Sequence, residues 1–137
     1  MFGCFGGQLN LTDGRYVYMR APRIKEMPKH YTLAGIHSLR QRIFSEDNKP
    51  TLSIREPFSF TKGMPVMEVG NMPNSYQTIQ NTYEDMLFYL ENDPAQNHPF
   101  RNADVEARFC REASRLFKQL DAPAAMYDYY GLSNEEE

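Results

Sequence analysis

The clearest pattern in the chain lies near its C-terminal end, where Val105, Phe109, Ala113, Leu116 and Leu120 recur at spacings of four, four, three and four. That period lays one apolar stripe along a helix and leaves Arg108, Glu112, Arg115 and Lys118 for solvent. It predicts a helix over Ala103–Leu120. Asn102 is placed to accept a hydrogen bond from an early helical amide, and Asp104 and Glu106 sit at the positive end of the dipole. Pro123 suits the opening of a second, short helix through Tyr130, with Gly131 as its stop. Tyr127, Tyr129 and Tyr130 read as packing groups of that helix rather than as a stacking platform for a ligand.

At the other end of the chain the period is two. Leu9 and Leu11 alternate with Asn10 and Thr12, Asp13-Gly14 supplies a turn that tolerates positive φ, and Tyr16 to Met19 follow as a β-branched and aromatic strand. The pattern between hairpin and helix is weaker. Pro22, Pro28, Pro50 and Pro57 punctuate residues 21–57. Within that stretch Ile36, Leu39, Arg40 and Ile43 predict a short helix near Ala34–Phe44, and the rest reads as loop. Phe58 to Val69 reads as extended structure interrupted at Lys62-Gly63, and residues 71–75 as a turn. Residues 76–90 admit two readings. Tyr76, Ile79, Tyr83, Met86, Leu87 and Leu90 would stripe a helix, whereas Met86 to Leu90 alone suits a buried strand. Pro94 ends either one.

Composition narrows the function classes. The chain has 137 residues, enough for one modest core. Its 15 Lys and Arg are interspersed with 18 Asp and Glu for a net charge of −3, so neither nucleic acid nor an anionic membrane is an expected partner. Two cysteines, Cys4 and Cys110, make no disulfide framework and read as free thiols. No apolar run approaches the length of about 18 residues that a membrane span needs. The first residues lack the basic and apolar regions of a signal peptide, and the chain reads as cytoplasmic. Neither the cysteines nor His30, His37 and His98 show paired metal-ligand spacing. Gly3, Gly6 and Gly7 are followed by no helix that would make a phosphate loop, and they read as a strand with close backbone approach. Cys4, beside those glycines, is poorly held for a nucleophile.

Two stretches at opposite ends carry a resemblance to one family. FGGQLNLTDGRYVYMRAP, residues 5–22, resembles the strand pair that opens the small C-terminal subdomain of sulfatases of the alkaline-phosphatase superfamily. LFYLENDPAQNHPFRNADVEAR, residues 87–108, resembles the sulfatase segment in which a strand runs into Asp-Pro, an Asn/His step and the final helix. EPFSFTKG at 56–63 and DAPAAMYDYYGL at 121–132 are similar to one bacterial branch, and the matches span nearly the whole chain in order. The resemblance implies an α+β fold, a small antiparallel sheet of about four strands packed against the C-terminal helix. It also favours a strand over Asp85–Leu90. Residues 1–137 are then one domain, strand-rich over 1–100 and helical over 101–132, with an acidic tail over 133–137.

The resemblance also implies what the chain lacks. The family's Cys/Ser-x-Pro/Ala-x-Arg motif, which matures to formylglycine, is absent, as are the Asp and Asn/His ligands for a divalent cation, typically calcium. No catalytic and no metal-binding residue is therefore expected, and no cofactor in this chain. The expected role is non-catalytic, supporting the family's large catalytic domain. Substrate-cleft candidates are Gln8, where the family branch usually carries His, together with His37 and Lys62 on loops. The alternative is a free-standing module that binds another protein or self-associates through an exposed apolar face, with Phe2, Phe5, Phe58 and Phe60 as its candidate groups.

Overall fold

The computed structural model describes residues 1–3, 6–24, 29–33, 51–70 and 84–134. The chain divides into two compact units, one formed by Met1–Lys25 with Thr78–Glu137 and the other by Glu26–Gln77. The described residues form two antiparallel three-stranded sheets and two α-helices, an α+β protein with a C-terminal helix as expected. The strands are shared between two sheets instead of lying in one sheet of about four.

In the first unit β1 (Leu9–Thr12) and β2 (Tyr16–Arg20) form a hairpin, and β6 (Met86–Tyr89) joins the other edge of β2. The hairpin turns at Asp13-Gly14 because its side chains bond the turn locally. Asp13 Oδ1 accepts from the amides of Arg15 and Tyr16 at 2.9 and 2.8 Å, and Gly14 takes φ 87°, a conformation that costs glycine little. Leu11, Tyr18 and Leu87 face one another across the strands and are all at most 2% exposed. On the opposite face Val17 pairs with Phe88, and both are buried as well. Burial on both faces explains why Met86 to Leu90 is an unbroken apolar run, the feature that made helix and strand hard to separate. The strand reading holds there; residues 71–83 lie outside the described residues, and so does the helix expected near Ala34–Phe44.

Helix α1 (Ala103–Gln119) starts at Asn102, whose side chain accepts from the Val105 amide. Glu106 reaches back to the Asn102 amide at 3.1 Å and takes both ends of the Arg101 guanidinium at 2.8 Å, so this buried carboxylate closes the N-terminus. The buried face is Glu106, Phe109, Ala113 and Phe117. Phe109 lies against Tyr18 of the sheet, with ring centroids 5.9 Å apart. The expected stripe was displaced at its end: Leu116 is half-buried and Leu120 is 57% exposed.

Helix α2 (Ala124–Tyr130) follows Pro123 and ends at Gly131, as the sequence suggested. Gly131 takes φ 57°, and the amides of Gly131 and Leu132 return to the Asp128 and Tyr127 carbonyls, a Schellman closure. Tyr127, Tyr129 and Tyr130 are buried packing groups. The phenols of Tyr129 and Tyr130 donate to the Gly6 and Gly7 carbonyls at 2.8 and 2.9 Å, tying both ends of the unit together.

The second unit has strand order β3-β5-β4, with β3 (His30–Thr32), β4 (Thr51–Arg55) and β5 (Val66–Gly70). β3 and β4 replace the loop expected there. Phe58 and Phe60 are not alternating strand residues either: Ser59–Thr61 is a 3-10 turn, and the two rings stack at 5.3 Å. Glu68 organises this sheet. Its carboxylate, 7% exposed, receives Lys29 Nζ at 2.7 Å, Arg55 Nε at 2.5 Å and the Ser53 hydroxyl at 3.3 Å. The Lys29 contact outweighs burial and, with Arg55, holds the Glu68 carboxyl below its usual value.

Candidate functional site

The expected cleft residues fall in different places. Gln8, half-buried in the first unit, donates from Nε2 to the Glu84 carbonyl at 2.8 Å and so fastens the approach to β6. His37 lies outside the described residues. Lys62 is exposed in the second unit, at the end of the 3-10 turn.

The Lys62 turn is tightly specified. Thr61 is buried, and its hydroxyl lies 2.9 Å from both the Phe58 and Met64 carbonyls. The Thr61 amide bonds to the Phe58 carbonyl and the Met64 amide to the Thr61 carbonyl, each at 3.0 Å. Lys62 itself takes φ 54°, left-handed backbone that disfavours a side chain, and is followed by Gly63 at φ 79°. Beside it Phe60 is 66% exposed. The turn thus presents a cation and an aromatic ring from a rigid, mildly strained base.

A second constellation, not apparent in the sequence, surrounds Asp85 at the entrance to β6. This carboxylate, 7% exposed, accepts from the Ala21 amide at 2.9 Å, the Tyr18 phenol at 3.0 Å, and both Arg23 terminal nitrogens at 3.0 and 2.5 Å. Arg20 stands 3.9 Å away and spends its guanidinium on the Tyr130 and Gly131 carbonyls at 2.6 and 2.7 Å, with Cys110 Sγ at 3.1 Å. Cys110 is half-buried and free. A Cβ at Gly131 would lie 2.9 Å from Arg23 Cγ, so a side chain there would displace Arg23.

Burial alone would raise the Asp85 carboxyl; Arg23, the Ala21 amide and Tyr18 reverse this and hold it below the usual value. Burial drives the Tyr18 phenol well above its ordinary value, and burial does the same to Tyr130, so both stay protonated donors. Each oxygen of Asp85 already accepts two hydrogen bonds. Such a group anchors structure; it has no lone pair directed at a substrate, as a general base must.

No family model matches the chain, and no curated protein or solved structure matches it. Among the described residues no helix is long and apolar enough to cross a membrane.

Proposed function

We propose that this chain is the C-terminal subdomain of a sulfatase-like hydrolase, a non-catalytic part that supports a large catalytic domain and offers Lys62 to the edge of its substrate cleft. The observation that carries this reading is the order of elements. The β1–β2 hairpin, β6, the Asp93-Pro94 turn, the first turns of α1 and the whole of α2 fall on the segments that resemble the family, in sequence. The exposed Lys62 beside the exposed Phe60 ring, on one hydrogen-bonded turn, supports the cleft role, because a cation presented there suits an anionic ester. The buried carboxylates do not fit a cation site. Asp85, Glu68 and Glu106 each already spend their oxygens on Arg or Lys, which a divalent ion would have to displace. Formylglycine and calcium belong to the catalytic domain in this reading.

The isolated chain is expected to release no product from an aryl sulfate. Fused to a sulfatase catalytic domain stripped of its own terminal subdomain, it restores turnover. In that fusion Lys62→Gly, which keeps the turn and removes the charge, raises KM severalfold with little change in kcat. Hydrolysis by the pure chain that a substitution within it abolishes would overturn the proposal.

One observation favours self-association as a second reading. In the second unit Leu33, Leu52, Ile54, Phe60 and Met64 are each at least 45% exposed, and all five residues of the edge strand β4 are exposed. Phe58, half-buried against Tyr31 and Phe60, is a weaker contact than its sequence position suggested, Phe2 is 53% exposed in the first unit, and Phe5 lies outside the described residues. An antiparallel copy centred on Ser53 sets Leu52 against Ile54 and Arg55 against Thr51, with no like charges opposed. Sedimentation at micromolar concentration is then expected to show a dimer that Ile54→Lys dissociates; a monomer at all concentrations rejects this reading.

A further inference from the structure

The ends of β2 and β6 and the loop after β6 line a cavity of about 410 Å³, within the range of roughly 300–1,000 Å³ usual for small-ligand sites. Its lining is Tyr16, Tyr89, Asn92, Asp93, His98 and Phe100. The Tyr16 ring lies 5.2 Å from Tyr89 and 6.4 Å from Phe100, centroid to centroid, so three aromatic rings share the site. The Phe100 amide bonds to the Leu87 carbonyl at 2.9 Å, which fixes that ring beside the sheet.

Among the described residues Asp93 is the one carboxylate of the lining, and no Lys or Arg belongs to it. The Asn97 and His98 amides donate to Asp93 Oδ1 and Oδ2 at 3.0 and 2.8 Å and hold the carboxyl below its usual value. These two bonds close the loop and leave the carboxylate further acceptor capacity. His98 Nδ1 stands 3.9 Å from Oδ1, outside hydrogen-bond distance, with its side chain 88% exposed. Arg15 shows that the rings receive a cation: its guanidinium lies 5.5 and 5.2 Å from the Tyr16 and Tyr89 centroids. Arg15 is outside the lining, and Glu91, 3.6 Å away, balances its charge.

We propose that this cavity binds a small organic ammonium ion, with its alkyl surface against Tyr16, Tyr89 and Phe100 and its charge beside Asp93. Aromatic faces attract an alkylammonium through the ring quadrupole, an attraction that a neutral body of the same shape lacks. A calcium ion takes about six to eight oxygen ligands, which one carboxylate among three rings does not supply. The site is independent of the sulfatase reading, since Lys62 and the cleft edge play no part in it.

The test is amide chemical-shift mapping of the whole chain with tetramethylammonium, its neutral counterpart tert-butanol, methyl glucoside and calcium, at constant ionic strength. Saturable shifts over residues 16, 89–93, 98 and 100 are expected with tetramethylammonium, and tert-butanol binds at least about fivefold more weakly. Phe100→Leu and Tyr16→Leu, which keep an apolar wall and remove a ring face, each weaken binding about two- to fivefold. Asp93→Asn weakens it about fivefold. If Asp93→Asn disturbs the loop, seen as large shifts without ligand, the two leucine variants decide alone. No saturation by tetramethylammonium, equal binding of tert-butanol, tighter binding of methyl glucoside or calcium, or full affinity in both leucine variants would each overturn the proposal.

Discussion

Phe117→Ala is expected to destabilise the first unit by about 3–4 kcal/mol, whereas Leu120→Ala changes stability by less than about 0.5 kcal/mol. Both residues are large and apolar, and they lie within one turn of each other. Phe117 is 4% exposed and meets Tyr127 edge-on at 5.3 Å and Tyr130 at 6.2 Å. Removing its ring opens a cavity between the two helices and forfeits the aromatic pairs. Leu120 caps α1 with 57% of its surface in water, so its truncation removes little buried area. Urea denaturation followed by circular dichroism separates the two. Comparable losses would mean that the helix buries the stripe that its sequence period suggests, through Leu116 and Leu120, and not the face seen here.

The contrast between those residues shows where sequence stops informing. The period of α1 was legible because Phe109 and Ala113 lie on any helical stripe through the segment. Its end was not, because α2 folds back over Phe117, and that return is a tertiary event. Hairpin and helix ends were legible for a local reason: Asp13, Asn102 and Gly131 each act on backbone within a few residues. β3 and β4 were illegible because they are short and stabilised from a distance. Arg55 and Lys29 converge on Glu68, and none of the three has a recognisable spacing to the others. The α+β class could be read, but the division into two sheets could not. Of the candidate site residues, Lys62 was marked only as a cation on a loop; its left-handed backbone has no sequence signal in a residue other than glycine. The Asp85 constellation joins β2 and the residues just after it, the residue before β6, and both helices, and only the fold assembles it.

Asp85→Ala is accordingly expected to cost about 3 kcal/mol at neutral pH, because it leaves Arg20 facing an uncompensated, largely buried space and strips the Ala21 amide of its acceptor. Asp85→Asn, which keeps the shape and one acceptor, should cost less. Arg23 is 41% exposed and can rehydrate, which limits its share of the loss. The pH dependence distinguishes the charge from the packing. The folded carboxyl lies below its unfolded value, about 3.9, so the unfolded state binds the proton more readily. The stabilisation is therefore complete above about pH 5 and fades as pH falls through the unfolded value towards the folded one. Asp13, Glu68 and Glu112 are depressed too, so acid unfolding of the parent chain reports them together. The difference between parent and Asp85→Asn isolates the one group: the gap in unfolding free energy should be constant from about pH 5 to 7 and narrow below about pH 4. A gap that stays the same down to pH 3 would mean that Asp85 holds β2 and β6 together through shape and neutral hydrogen bonds alone, without the ion pair to Arg23.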